Sequence, residues 1–224
     1  MKKHKKLPEV RKQEYLDTAL DLFVMKGYFK TTVQEIIDRM GASKGAFYHY
    51  FKSKEDIIHV IIEVEIQKYN TVMREIVGME GKNAIEKFRE MLTRFQAMRH
   101  ENMEKQIKLF KLMESKENAL FYQQMIEQII KTTTPYYRKI IIQGNEEGTF
   151  HVEHPAYTTE MIMYIITYLR RKMVLIFLNA PDKAKVLDEI KEIILFMDDA
   201  MHKILGVAPG TLNIKEEYFK YLKS

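Results

Sequence analysis

Apolar residues recur every three or four positions along almost the whole chain, and this period limits the possible folds more than any other feature. In the first predicted helix, Leu16, Ala19, Leu20 and Phe23 fall on one face. Glycine and proline, which interrupt helices, number only nine and five among 224 residues. Strand-like alternation does not persist in any segment. The sequence therefore predicts an all-α fold.

The periodicity and the capping residues together predict where the helices begin and end. Thr32 and Glu35 have the spacing of a capping box, Ser43 can cap a short third helix, and Ser53 with Asp56 repeats the capping-box pattern before a long fourth helix. The expected helices cover approximately residues 8–26, 33–40, 44–50, 54–77, 82–100, 103–114, 117–144, 158–178, 182–205 and 214–223.

The segment "SKGAFYHYFKSKED", residues 43–56, is the most unusual in the sequence. On a helix, Phe47 and Phe51 share one face, which leaves Lys44, Gly45, Tyr48 and His49 on the other. Lysine, tyrosine and histidine donate to phosphates and base edges, and free N–H groups of a first helical turn attract phosphate. Two short helices joined by a glycine turn form a helix-turn-helix. The pattern predicts a helix that enters the major groove of DNA; the alternative is that the tyrosines cap a small core and the lysines are solvated.

The net charge of +5 is concentrated at the N-terminus. Four lysines and no acidic residue lie within residues 1–8, so this arm carries +4: Lys2, Lys3, Lys5 and Lys6. Basic arms of this kind bind nucleic acid, although a solvated tail is an equal alternative.

The composition excludes several classes of protein. With no cysteine, the chain has no disulfide and no thiolate nucleophile, which fits a reducing, cytoplasmic compartment. No signal peptide is apparent, and the most apolar segment, residues 161–178, is interrupted by Arg170 and Arg171, so no membrane span is expected.

Motifs that carry catalysis are missing from the sequence, so neither an enzyme nor a cofactor is predicted. It contains no glycine-rich phosphate loop, no Gly-x-Ser-x-Gly elbow and no His-Glu-x-x-His helix. The loop segment "HVEH" supplies His151, Glu153 and His154, but no further ligand follows at metal-binding spacing. A solvated loop is therefore predicted there, with no metal.

Residues 31–57, "TTVQEIIDRMGASKGAFYHYFKSKEDI", resemble the N-terminal signature of the TetR family of bacterial transcriptional regulators. The matching elements are the threonine pair, the Gly-x-Ser turn, "GAFYHYF" and the Lys-x-Lys-Glu that opens a long helix; "ALDLFVMKGYFKTT" extends the match upstream. The resemblance covers about residues 9–60. It implies a cytoplasmic, nucleoid-associated homodimer that binds a palindromic operator in double-stranded DNA.

The resemblance also implies a division of the chain and a set of DNA contacts. Residues 1–52 would form the DNA-binding domain, 53–78 a connecting helix and 79–224 a helical ligand-binding and dimerisation domain. Tyr48 and Lys54 would hold phosphates. Val33 cannot hydrogen-bond a base, so base readout would depend on Lys44 and Ser43. The full set of implied contacts is Thr31, Thr32, Ser43, Lys44, Gly45, Tyr48, His49 and Lys54.

The C-terminal part is rich in methionine and aromatic residues, most of which ordinary core packing explains. The resemblance adds a cavity for an apolar or amphipathic ligand, and the expected lining is Phe95, Phe110, Met113, Tyr122, Met125 and Tyr168. Either Arg170 or Arg171 could meet an anionic ligand group, with a surface position as the alternative.

Apolar stripes on the last two long helices need a cover, and the resemblance implies one: a four-helix bundle with a second copy of the chain. The expected interface is Ile165, Leu169, Met173, Ile190, Ile194, Met197 and Met201. The alternative is that these stripes pack inside their own chain.

Two hypotheses for the function remain open. The first is a repressor that a small ligand releases from its operator. The second is a helical DNA-binding protein without a small ligand, acting through protein partners or chromosome organisation. The signature in residues 31–57 argues against a third class, a scaffold or membrane-surface protein.

Overall fold

The computed structural model describes residues 7–115, 118–179 and 183–222, and these ranges form ten α-helices. The basic arm at residues 1–6 lies outside the described residues. The all-α prediction is confirmed. The helices are α1 (Pro8–Lys26), α2 (Val33–Arg39), α3 (Lys44–Tyr48), α4 (Lys54–Val77), α5 (Ala84–Glu101), α6 (Met103–Glu114), α7 (Ala119–Glu146), α8 (Pro155–Asn179), α9 (Lys183–Leu205) and α10 (Ile214–Leu222).

Helix α3 is shorter than the prediction of 44–50, since it ends at Tyr48. The N–H groups of Tyr50 and Phe51 both donate to the carbonyl of Phe47, at 2.9 and 3.1 Å. The bond from Tyr50 spans only three residues, so the last turn tightens and the chain leaves the helix early.

The two predicted capping boxes form to different extents. Thr32 Oγ1 accepts from the N–H of Glu35 at 3.2 Å, and Glu35 Oε2 accepts in return from the N–H of Thr32 at 2.9 Å, so the first box is confirmed. At α4, Ser53 Oγ accepts from the N–H of Asp56 at 3.2 Å. The Asp56 carboxylate, however, accepts from the N–H of Lys52 at 2.8 Å, one residue before the cap.

The chain divides into two compact units that differ from the predicted domains. The first unit comprises residues 1–67 and 104–125, and the second comprises residues 68–103 and 126–224. Helices α4, α6 and α7 therefore each contribute residues to both units. Helix α6 and the start of α7, which the sequence assigned to the C-terminal domain, lie almost wholly in the first unit.

Ion pairs connect α6 to α1 and α4 within the first unit. Lys105 Nζ lies 3.5 Å from Asp17 Oδ1 on α1 and 3.4 Å from Glu65 Oε1 on α4. Lys108 Nζ lies 3.0 Å from Asp21 Oδ1, also on α1. These pairs attach α6 to α1 and α4 through side chains that sequence periodicity treats as solvated.

The second unit has a core built from the end of α4 and from α5, α7, α8, α9 and α10. Phe88, Met91 and Phe95 of α5 are buried with Met197 and Met201 of α9 in one cluster. Among the described helices, none is sufficiently long and apolar to cross a membrane.

The loop after α7 packs on that helix through a glycine. Phe150 is almost fully buried, and its N–H donates to the carbonyl of Gly144 at 2.9 Å. A Cβ added at Gly144 would overlap the Phe150 ring. The close approach of loop and helix therefore requires glycine at this position.

Gly144→Ala should destabilise the protein by about 1–3 kcal/mol, because the new methyl group overpacks the Phe150 site. At a helical position with free space around it, a change from glycine to alanine instead stabilises the folded protein by up to about 1 kcal/mol. Gly45→Ala is the matched control, since a Cβ there meets nothing within 4 Å. Urea denaturation measures both variants, and a Gly144→Ala protein as stable as the parent would contradict this account.

Candidate nucleic-acid interface

An aromatic cluster fixes the orientation of α3. Phe47 and Phe51 are fully buried, and the ring of Tyr15 on α1 meets both nearly edge-on, with centroid separations of 5.8 and 6.0 Å. Edge-to-face rings at such distances attract each other beyond their burial. The cluster confirms the predicted inward face of α3 and adds Tyr15 as the partner from α1.

The opposite face of α3 is turned to solvent. Ser43 Oγ accepts from the N–H of Ala46 at 3.2 Å and so caps the helix. Lys44, Gly45 and His49 are exposed, and Tyr48 keeps 49% of its surface accessible. Among the described residues, none pairs with the Lys44 ammonium. Five of the predicted contact residues thus lie together on one short segment.

Thr32 lies at the exposed start of α2, in its capping box with Glu35. Glu35 also forms an ion pair with Lys26. Hydrogen bonds from Lys26 and from the Thr32 N–H lower the pKa of the Glu35 carboxyl. The bond between the Glu35 carboxylate and the Thr32 N–H keeps Thr32 in place. Val33, the neighbouring position, is half-buried.

The prediction that Thr31 contacts DNA is wrong for its side chain. Thr31 is only 1% exposed, and its hydroxyl donates to the carbonyls of Gly27 at 2.9 Å and Leu22 at 3.3 Å. The hydroxyl closes the turn between α1 and α2, so it faces the interior of the first unit.

Lys54 forms hydrogen bonds within its own chain that the sequence did not indicate. Its ammonium donates to the carbonyls of Tyr28 at 2.7 Å and Thr31 at 2.9 Å, and lies 4.2 Å from the centroid of the Tyr28 ring. Burial lowers the pKa of the Lys54 ammonium. Since an ammonium has three N–H donors, one is left for a phosphate.

Most residues of the predicted dimer interface are buried within their own chain. The described structure packs the following residues inside their own chain: Leu169, Ile190, Ile194, Met197 and Met201, none more than 7% exposed. Ile165 and Met173 are half-buried against the same core. A fully buried side chain cannot contact a second chain, so the alternative of inward packing holds for these stripes.

Other positions on α8 and α9 carry exposed apolar residues instead. On α8, Tyr157, Met161, Tyr164 and Tyr168 follow one another at spacings of four, three and four, each at least 46% exposed. On α9, Leu187, Leu195 and Phe196 are exposed as well. We call these seven residues the outer α8–α9 face.

The predicted ligand-binding residues do not come together. Phe110, Met113, Tyr122 and Met125 belong to the first unit, and Tyr168 is 62% exposed on α8. Phe95 alone of the set lines the cavity in the core of the second unit. Spacing along separate helices does not reveal which helices share a core, so the sequence could not assign these residues to one unit.

A cavity in the core of the second unit measures about 20 Å³. Such a volume holds about one water molecule, whereas ligand pockets typically measure about 300–1,000 Å³. The lining combines apolar side chains with a few polar ones: Phe88, Met91, Leu92, Phe95, Arg99, Tyr137, Ile166, Met197, Met201, Ile214 and Tyr218. Arg99 is a site residue that the sequence interpretation missed.

The "HVEH" loop does not assemble a metal centre within the described part of the chain. His151 Nδ1 lies 3.2 Å from the carbonyl oxygen of Gly206, and Glu153 and His154 are exposed. Among the described residues, no group of three or more histidine, aspartate or glutamate side chains is placed to bind a metal ion.

Helices α2 and α3 form a helix-turn-helix whose second helix, α3, has an exposed face. This arrangement defines a helical DNA-binding fold. Comparison with known proteins gives the family. The model of "bacterial regulatory proteins, tetR family" matches residues 16–61, and that of the "tetracyclin repressor-like, C-terminal domain" matches residues 101–193. The chain therefore belongs to the tetR family of bacterial regulatory proteins.

Individual relatives resemble parts of the chain. YuxN of Bacillus subtilis, an uncharacterised HTH-type transcriptional regulator, is 37% identical over 116 residues, which is 52% of this chain. YerO of the same organism, also an uncharacterised HTH-type regulator, is 35% identical over 34% of the chain. The matches span only 38% of YuxN and 28% of YerO.

A solved structure shares the fold over most of the chain. The complex of SmeT with triclosan superposes with a TM-score of 0.68 at 15% identity, covering 91% of this chain and 97% of that one. SmeT is a repressor from Stenotrophomonas maltophilia. At this identity, the likeness concerns the fold.

Lys54→Met should lower the free energy of unfolding by about 1.5–3 kcal/mol, the usual value of hydrogen bonds from a charged group. Two carbonyls of the turn between α1 and α2 would lose their donor. Lys52→Met is the control, because Lys52 is exposed and its side chain bonds to nothing in the described structure. Equal urea midpoints for the two variants would mean that Lys54 does not hold this turn.

Proposed function

We propose that the protein is a DNA-binding transcriptional regulator that acts as a repressor, with α3 in the major groove of its operator. The observation that carries this proposal is the two-sided character of α3. The phenylalanines on its aromatic side are fully buried. On the other side, Lys44 and Tyr48 expose hydrogen-bond donors, and Gly45 is exposed between them. A regulator of this kind works on the chromosome, in the bacterial cytoplasm.

Each exposed residue has a distinct role in this proposal. The Tyr48 hydroxyl and the third N–H of Lys54 donate to backbone phosphates, and Thr32 does so at the start of α2. Lys44 and Ser43 reach base edges, where lysine suits the O6 and N7 acceptors of guanine. Gly45 allows the DNA backbone or a base to approach closely. His49 adds a further donor at the end of α3.

Lys44→Ala should weaken operator binding by about 1–3 kcal/mol and relax the base preference at one position. Tyr48→Phe should weaken binding to all sequences alike by about 1–2 kcal/mol, since it removes a phosphate hydrogen bond. Gel-shift titrations on operator and unrelated DNA measure both effects.

Lys139→Ala is the matched control for charge. Lys139 is exposed on the part of α7 that belongs to the second unit, so its loss should change affinity little. If Lys44→Ala and Tyr48→Phe bind like Lys139→Ala, α3 does not enter the groove.

The outer α8–α9 face supports the proposal of a homodimer. Exposed apolar residues at helical spacing, as on α8, mark an interaction surface on a folded protein, and a two-fold dimer pairs such a surface with itself. Two helices from each chain would then make a four-helix bundle. A dimer carries two copies of α3, which fits a palindromic operator with half-sites about one helical turn, roughly 34 Å, apart.

The double variant Tyr164→Glu with Tyr168→Glu should convert the dimer to a monomer, because it would bury two carboxylates in the bundle. It should also weaken operator binding, since one α3 reads only one half-site. Light scattering gives the mass. Thr93→Glu, on an exposed position of α5, is the control. A double variant that remains dimeric would rule out this face.

Release of the protein from its operator by a small ligand is part of the same proposal. The complex of the structurally similar SmeT with triclosan supports it. A ligand that prefers the arrangement without DNA would weaken operator binding about 5- to 150-fold for a coupling of 1–3 kcal/mol, and DNA would weaken the ligand equally. The second candidate function, a DNA-binding protein without a small ligand, is favoured by the small volume of the cavity, about 20 Å³.

A further inference from the structure

The cavity of the second unit has one charged lining residue, Arg99, which continues the apolar stripe of α5. Phe88, Met91 and Phe95 of α5 are at most 5% exposed, and Arg99 follows Phe95 by four residues on the same helix. All four line the cavity. The helical repeat thus places a guanidinium where a core residue would stand.

Hydrogen bonds within the chain leave the Arg99 guanidinium incompletely satisfied. Nη1 donates to Gln96 Oε1 at 3.0 Å, the guanidinium also hydrogen-bonds the Tyr69 phenol, and Nε is buried without a partner. Gln96 Nε2 is likewise buried without an acceptor. Among the described residues, no carboxylate pairs with Arg99. A buried positive group with spare donors is costly unless an acceptor reaches it.

The surroundings of Arg99 favour negative charge. Burial alone would raise the pKa of the Tyr69 phenol, yet Arg170 and Arg99 stabilise the phenolate and lower this pKa below its ordinary value. The Arg170 guanidinium carbon lies 6.0 Å from the centroid of the Tyr69 ring. Two arginines therefore act on the same buried region.

We propose that this site binds an amphipathic carboxylate, with its head group at Arg99 and its alkyl chain among the apolar residues of the cavity. The planar guanidinium matches a carboxylate with two parallel hydrogen bonds. Met91, Met197 and Met201 also line the cavity, and methionine side chains change shape readily. This inference rests on the proposed function, because it assigns the chemical class of the regulator's ligand.

Binding requires the cavity to grow, since about 20 Å³ does not hold an alkyl chain. Rotation of the methionine side chains would open space along the stripe of α5. The second unit would then have different conformations with and without the ligand. A ligand can change operator affinity only if it prefers one of two conformations.

Isothermal titration calorimetry of the full-length protein with decanoate, decanol and decyltrimethylammonium tests the ligand class. Decanoate should bind, and the alcohol and the cation should bind on the order of 10- to 100-fold more weakly, as the loss of a charge-assisted hydrogen bond predicts. Arg99→Met should weaken decanoate binding by a similar factor. Arg171→Met, which removes an exposed arginine of α8, should leave it unchanged.

If Arg99→Met does not fold, Arg99→Lys keeps the charge but loses the two-pronged geometry, and decanoate should bind it more weakly than the parent. Equal binding of decanoate and decanol, or unchanged decanoate binding in the Arg99 variant, would overturn the inference. Gel shifts on operator DNA distinguish a failure of this ligand class from a failure of the proposed function. Operator binding without decanoate binding refutes only the ligand class, whereas decanoate binding without operator binding refutes the proposed function.

Discussion

The burial of Phe47 and Phe51 against Tyr15 is the interaction on which the candidate DNA surface depends. Helix α3 has only the five residues Lys44–Tyr48, too few to be stable alone, so its position must come from tertiary packing. Once the two phenylalanines are fully buried, the remaining face of the helix has to point outward. The donors on that face are thus a consequence of the aromatic core.

A second group of contacts holds the chain around this core. Lys54 joins the start of α4 to the carbonyls of Tyr28 and Thr31, and Arg11 Nη2 donates to the carbonyl of Met40 at 3.2 Å, at the end of α2. Cationic side chains in a DNA-binding domain are readily assigned to phosphates. Here two of them satisfy backbone carbonyls inside the first unit, and Lys54 has one donor left for a phosphate.

The sequence predicted the helices well because the apolar repeat and the capping residues are local signals. It predicted the inward and outward sides of α3 for the same reason. It could not select between two apolar faces of α8: Ile162 and Leu169 pack inside, whereas Tyr164 and Tyr168 remain exposed. It also could not show that α6 joins the first unit, since that depends on contacts between residues far apart in the sequence. Arg99 was detectable, because it continues the apolar stripe of α5.

Selection of random DNA by the full-length protein, followed by sequencing, tests the central claim most directly, that two copies of α3 read a palindromic operator. The account predicts one enriched motif with two-fold symmetry, whose half-sites are centred about one helical turn, roughly 34 Å, apart. It also predicts that Lys44→Ala loses preference at one symmetric pair of positions. No enriched motif, or a motif without symmetry, would contradict the account.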